Sequence, residues 1–274
     1  MQDKSVALCG VCPHNCRIKP HQRGVCKARI NIGGRVVSAA YGKITALALD
    51  PIEKKPFDFF YPNTFILSIG SFGCNMHCRF CQNWEISTSA GDALIREFTP
   101  QELVEYALSL KERGNIGLAY TYNEPLINYE FVSDCAVSAR RCGLKNVLVS
   151  NGFMDSALFA EFIPLMDAAN IDFKSASSEF YKLHGGEIET VKANIITAAR
   201  YVHLETTTLV IEGVNDKDEE IEEIALFLSK VDRAIPYHLT PFYPRYKMTN
   251  IPPTRLERLQ ELRLIAKKYL DNVV

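Results

Sequence analysis

From Phe65 onward, short apolar runs alternate with stretches of helical periodicity. FILSIGSF (65–72) is an apolar run that ends at a group of cysteines, and it reads as a buried parallel strand. TPQELVEYALSLKERG (99–114) reads as a helix, with Thr99 as N-cap, Pro100 at the first position, Glu102 completing a capping box and Gly114 closing it. IGLAYTY (116–122) gives a second strand, followed by a helix over 126–142. NVLVSN (146–151) and NIDFK (170–174) give the third and fourth strands, with helices near 155–167 and 188–201. HLETTTLVI (203–211) is the fifth, followed by the acidic helix KDEEIEEIALFLSK (217–230). AIPYHLT (234–240) is the sixth, and TRLERLQELRLIAKKYL (254–270) supplies the last helix.

Six β-α units in succession predict a parallel sheet with right-handed crossovers. They fall short of the eight of a closed TIM barrel, so the expected α/β fold is an open, partial (β/α)6 TIM-like barrel. In such folds ligands bind at the carboxyl ends of the strands. The chemically suggestive segments lie there: GCNMHC after the first strand, TYNEP after the second, SNGF after the third and DFK at the fourth.

Residues 1–60 break this rhythm. They are rich in Cys, Gly and Pro, lack helical periodicity and end in the turn-like DPIEKKPFDFFYP. Two regions are therefore expected: a small Cys-rich amino-terminal metal-binding segment (1–60) and the barrel (61–274). No long flexible linker separates them, so they should pack together.

Composition narrows the function. A net charge of −1 over 274 residues argues against a general polyanion partner, and so against nucleic acid. No apolar run approaches the ~18 residues needed to span a bilayer, and the start, MQDKSVALCG, lacks a charged-then-apolar leader. The expectation is a cytoplasmic protein with no membrane contact. Nine cysteines is a high count for that compartment. Seven fall in two clusters whose close spacings favour metal ligation over disulfides. Cys135 and Cys142, seven apart on one helical face, read instead as buried small hydrophobes.

Cys74, Cys78 and Cys81 are spaced C-x3-C-x2-C, one thiolate short of a closed tetrahedral site. His77 offers a Cys3His zinc shell, although its adjacency to Cys78 in a short loop makes convergence awkward. An iron–sulfur cluster on three thiolates instead leaves one iron open as a Lewis-acidic docking point. Cys9, Cys12, Cys16 and Cys26 make a closed set of four, for structural zinc or a second iron–sulfur cluster, and spacing alone does not choose. A Gly-rich segment without a core of its own depends on such a metal to fold. A nucleic-acid-binding zinc finger is the bland alternative, but no recognition helix follows. Asp172 and Lys174, two apart on a strand, share a face, and two charges on a buried strand favour a polar ligand. His238, at the end of the sixth strand, faces the same opening and reads equally as a satisfied structural histidine.

GCNMHCRFCQN, with an aromatic before its last cysteine and placed after the first strand of a β-α array, resembles the radical S-adenosylmethionine (radical SAM) superfamily. The continuation QN is similar to the pyruvate formate-lyase activating enzyme subgroup. The resemblance implies a 4Fe–4S cluster on Cys74, Cys78 and Cys81, with Phe80 beside it. Its open iron would bind the amino and carboxylate groups of S-adenosylmethionine. One-electron reduction, from a donor such as flavodoxin or ferredoxin, would then yield a 5′-deoxyadenosyl radical that abstracts hydrogen from a substrate. By position, Asn123 and Glu124 of TYNEP take the role of the superfamily's Gly-Gly-Glu, with Glu124 near the cofactor ammonium. The literal Gly185-Gly186-Glu187 lies too far along the chain and reads as a turn.

Ser150 and Asn151 in VSNGF match the subgroup's D-T-N-G-F, but Val149 replaces its acid, which puts that motif's cation site in doubt. Asp172 and Lys174 match its D-x-K, which contacts the cofactor ribose and carboxylate. C-x2-CPHNC…GVC, then AAYGKITALALDPIEKKPF and PYHLTPFYPRYKM, extend the likeness over nearly the whole chain, most closely to the radical SAM enzyme of the AmmeMemoRadiSam group. IEG (211–213) and Pro241 depart from that group's pattern and leave the substrate open. The resemblance implies an activase-like enzyme acting on a glycyl-radical enzyme, or one modifying a small molecule or another protein with companion proteins. A non-catalytic zinc-binding module is the rival of a different class.

Overall fold

A computed structural model describes residues 5–92 and 96–274. Its main sheet has seven strands. We label them β1 (Ala46–Pro51), β2 (Phe65–Gly70), β3 (Asn115–Tyr120), β4 (Lys145–Ser150), β5 (Ala168–Asp172), β6 (His203–Val210) and β7 (Tyr237–Pro241). The order is β7-β6-β5-β4-β3-β2-β1. Every neighbouring pair from β2 to β7 is parallel, and β1 runs antiparallel to β2 at one edge. This is the expected α/β partial barrel, a curled half-barrel of parallel strands with the Cys-rich region at its amino terminus.

Besides a single turn at Trp84–Ser87, the described helices are α1 (Pro100–Ser109), α2 (Tyr129–Arg141), α3 (Ser156–Phe162), α4 (Ser178–Leu183), α5 (Ile188–Tyr201), α6 (Asp218–Val231) and α7 (Leu256–Ala266). Thr99 Oγ1 accepts the Glu102 N–H and the Glu102 carboxylate returns to the Thr99 N–H, which forms the reciprocal cap that starts α1. Alternate strand residues Leu67, Leu118, Leu148 and Ile171 bury against these helices in one continuous core.

The opposite face holds a separate apolar cluster, in which Ile66, Ala119, Val147 and Ala168 meet Ile52, Phe57 and Phe60. Residues 52–64 therefore cross the foot of the sheet as a floor. Two buried polar side chains fasten this floor to the strands. Asn170 donates to the Pro56 carbonyl at 2.7 Å, and Glu205 accepts the Asp58 and Phe59 N–H groups at 3.2 and 3.0 Å. Residues 46–51, which the sequence groups with the amino-terminal segment, thus pair within the main sheet.

Two expectations are corrected. His238 is the second residue of β7, not its end, and it joins the floor. Its Nε2 lies 2.6 Å from Glu205 Oε2, and its Nδ1 lies 3.7 Å from Asp58 Oδ2. Cys135 is buried as expected, but Cys142 is exposed. Seven residues would bring both to one face, yet α2 ends at Arg141 and leaves Cys142 at its C-cap.

Candidate active site

β2 leads directly into the cysteine loop. At the carboxyl end of β3, Asn123 braces this loop: its Oδ1 accepts the Ser71 N–H at 2.9 Å and its Nδ2 donates to the Gly73 carbonyl at 3.0 Å. Next to it, Glu124 is buried and ties two strand ends together. Oε1 accepts the Leu126 N–H and the Ser150 hydroxyl, and Oε2 accepts the Asn151 N–H. Burial pushes this carboxyl up to about 7, against the lowering pull of those hydrogen bonds.

The three thiols lie within electrostatic reach of one another. Burial pushes Cys74 well up and Cys78 up to about 11. Donors already surround Cys74, with the Met76 N–H at 3.4 Å from its sulfur and Asn151 Nδ2 at 3.7 Å. Burial holds the metal-free sulfurs as S–H, while these donors and a nearby cation suit the thiolates that a metal would bind. That cation is Lys174, whose Nζ lies 2.6 Å from Asp172 Oδ2 and over the Phe80 ring at 6.0 Å. Burial works against its charge, but Asp172 and the Cys78 sulfur outweigh burial and raise the ammonium above its ordinary value. Phe80 is buried against Phe180 and His184. The structure thus draws together Cys74, Cys78, Cys81, Phe80, Glu124, Ser150, Asn151, Asp172 and Lys174. His238 belongs to the floor.

Among the described residues, no three Cys, His, Asp or Glu side chains converge where one metal ion could sit. A Cys3His zinc shell around His77 is not formed. Its ring packs on Gly185, where an added Cβ would lie 3.2 Å away. A cluster asks for no such convergence, since each thiolate takes its own iron. Gly185 and Gly186 form the expected turn, at the end of α4. Their second use was not legible in the sequence: a Cβ on Gly186 would lie 2.8 Å from Met76 Cε, so the pair makes room for the cysteine loop. Val149, on the floor-facing side of β4, packs with the apolar floor cluster, which accounts for an apolar residue in that place.

Two groups went unread in the sequence. Tyr122, at φ 70°, donates to Asp50 Oδ2 at 2.6 Å, and the buried Lys55 ammonium lies 2.8 Å from the same oxygen and 4.3 Å from the Tyr122 ring. These three side chains come from β1, the floor and the end of β3, a contact no local pattern announces. Asn75 is the other. It is 1% exposed and joins the cysteine loop to its neighbours on two sides.

The radical SAM superfamily profile matches residues 68–228, more than half of the chain. An uncharacterised protein of Methanocaldococcus jannaschii, MJ0808, is 38% identical over 99% of this chain and 83% of its own length. The pyruvate formate-lyase 1-activating enzyme of Escherichia coli is 22% identical, over 74% of this chain and 88% of its own. Among solved structures, Streptococcus suis SuiB bound to S-adenosylmethionine aligns with a TM-score of 0.58 at 13% identity, over 77% of this chain and 51% of that one. The chain belongs to the radical SAM superfamily. It is a radical SAM enzyme with distant similarity to glycyl-radical activating enzymes, and membership implies an iron–sulfur cluster and S-adenosylmethionine. Among the described residues no helix is long and apolar enough to cross a membrane.

Proposed function

We propose that Cys74, Cys78 and Cys81 hold a 4Fe–4S cluster and that the strand ends beside them hold S-adenosylmethionine. The observation that carries this reading is the grouping of three half-buried thiols with the Glu124 carboxylate and the Lys174 ammonium at one mouth of the sheet. Bound there and reduced by one electron, the pair supplies a 5′-deoxyadenosyl radical for hydrogen abstraction. The chain's own residues bind and orient. Glu124 offers Oε2, which accepts one N–H from Asn151, to the cofactor ammonium. Lys174 and Asp172 serve the carboxylate and ribose, while Ser150 and Asn151 hold Glu124 in place. Asn123 acts by bracing the loop.

For the substrate, we propose a protein of the glycyl-radical class, activated by loss of a glycine hydrogen, with flavodoxin or ferredoxin as reductant. The activating-enzyme likeness over 74% of the chain supports this. A second reading, modification of a small molecule or another protein with companion proteins, stands beside it, since MJ0808, alike over 99% of the chain, is itself uncharacterised. The amino-terminal cysteines are proposed as a second metal centre, of zinc or iron–sulfur.

The test is spectroscopic. The anaerobically reconstituted, reduced protein should give a cluster EPR signal that changes on adding S-adenosylmethionine, and Cys78→Ala should lose it. A signal indifferent to the cofactor contradicts the assignment. A glycyl-radical doublet on a candidate partner after turnover would select the first substrate class.

A further inference from the structure

Tyr122 stands immediately before Asn123 and Glu124 in a conformation that a tyrosine enters only under strain. The Asn123 N–H returns to the Thr121 carbonyl at 3.0 Å, and Tyr122, between them, has φ 70°. A three-residue turn closed in this way around a positive φ has the form of the rarer, strained γ-turn. Glycine would enter it freely, yet a tyrosine occupies it. Such strain persists only where the surroundings over-determine the conformation.

Those surroundings come from β1, β2 and the floor. Leu118 and Tyr120 belong to the helix-side core and Ala119 to the floor-side cluster, so simple alternation would carry Tyr122 to the helix side. The turn brings its ring to the floor side instead, over Gly70, where an added Cβ would lie 2.8 Å from Tyr122 Cβ and 3.0 Å from its Cδ2. The hydroxyl donates to Asp50 Oδ2 at 2.6 Å. Lys55 Nζ lies 2.8 Å from that same oxygen and 4.3 Å from the ring centroid, and its side chain is 5% exposed. The buried ammonium is thus answered by one carboxylate and one ring face. From the cysteine side, Asn83 Nδ2 donates to the Tyr122 carbonyl at 2.8 Å.

We infer that Tyr122 is a positioning residue of the cofactor site, clamped by Asp50 and Lys55 so that Asn123 and Glu124 leave the turn in fixed and different directions. This rests on the reading of Glu124 as the contact for the cofactor ammonium. Asn123 reaches back to Ser71 and Gly73 after β2, whereas Glu124 reaches across to Ser150 and Asn151 at the end of β4. Two consecutive residues serve two different strand ends only where the backbone before them is sharply and reproducibly bent. A released turn would relax toward negative φ. The Glu124 carboxylate would then be spread over several positions, and cofactor binding would have to order it.

The experiment uses the full chain, with Tyr122→Phe removing the hydroxyl and Tyr122→Gly removing the ring and the strain together. Tyr41→Phe is the control, since it removes another tyrosine–carboxylate bond, from Tyr41 to Asp134. Before cofactor is added, hydrogen exchange over residues 121–126 should speed up by about threefold or more in Tyr122→Phe, and further in Tyr122→Gly. Equal rates in wild type and all three variants overturn the clamp. After anaerobic reconstitution to equal iron content, Tyr122→Phe should bind S-adenosylmethionine about threefold or more weakly and Tyr122→Gly about tenfold or more, with Tyr41→Phe unchanged. The cofactor-induced change in the cluster EPR signal should move to higher cofactor concentration by the same factors. A tyrosine that only fills space would lower the melting temperature and leave these ratios alone. Tyr122→Gly, which suits the turn, would then bind the cofactor as well as wild type, and that result overturns the proposal. If Tyr122→Gly takes up no cluster, Tyr122→Phe decides. A wild-type protein that holds iron but gives no response to the cofactor defeats the cofactor reading, and the exchange comparison still decides the clamp.

Discussion

Glu124 Oε2 accepts the backbone N–H of Asn151 at 2.8 Å, so the end of β3 and the end of β4 share one buried carboxylate beside Cys74. Glu124→Gln keeps the shape but removes the charge and turns half of the acceptor into a donor facing N–H groups. Loss of a charge-assisted contact of about 1.5–3 kcal/mol should weaken S-adenosylmethionine binding by roughly tenfold or more. Equilibrium binding to the reconstituted protein checks this, with cluster content as the control.

The same carboxyl gives a pH dependence. Burial raises it from 4.5 to about 7, so it is neutral below that point and charged above it. Cofactor affinity should rise from pH 6 to 8 and level off, and Glu124→Gln should flatten the curve. In the apoprotein the sign for stability is opposite: the folded state holds this proton more tightly, so the group costs stability as pH rises from 4.5 to about 7.

Glu205 behaves in the reverse sense. Burial acts to raise this carboxyl, but hydrogen bonds from His203, His238 and the Phe59 N–H win and hold it at about 2, below the ordinary 4.5. Its contribution, on the order of 3 kcal/mol, is present above 4.5 and lost as pH falls toward 2. Glu205→Gln should therefore lower stability at neutral pH and flatten the acid limb of urea-unfolding midpoints between pH 4.5 and 2. An unchanged midpoint at pH 7 would show that the floor does not depend on this anchor.

Gly73→Ala tests the join between the amino-terminal segment and the loop. Its positive φ costs an alanine about 1 kcal/mol, and the clash with the Cys26 carbonyl adds to that. A clear fall in thermal stability, with reduced iron uptake, is expected. Gly10→Ala, where a Cβ meets nothing within 4 Å, is the control.

Cys142 should react rapidly with iodoacetamide in the native protein while Cys135 stays protected, since one is exposed and the other buried. Peptide mass mapping reads both together.

The sequence carried the six parallel strands because a buried parallel strand is an unbroken apolar run, and it carried the α1 cap because a capping box is local. The three-cysteine loop and its neighbours Glu124, Asp172 and Lys174 were legible for the same reason: each sits at a strand end that periodicity already marks. What was not legible depends on distant pairing. β1 reads as ALALDP and declares nothing until it lies against β2. Glu205 looks like an ordinary polar position in HLETTT until the floor presents two N–H groups to it. The apolar run AIPYHLT starts three residues before the observed strand at Tyr237, which puts His238 near the strand's beginning and not its end. Asn75 carries no local signal, and its role appears only once Asn151 and Phe153 meet it.

The most direct measurement of the central claim is 5′-deoxyadenosine formed by anaerobically reconstituted protein with dithionite and S-adenosylmethionine. The account predicts nucleoside product from the wild-type chain and none from Cys74→Ala, Cys78→Ala or Cys81→Ala. An iron-loaded wild-type protein that yields no 5′-deoxyadenosine would contradict it.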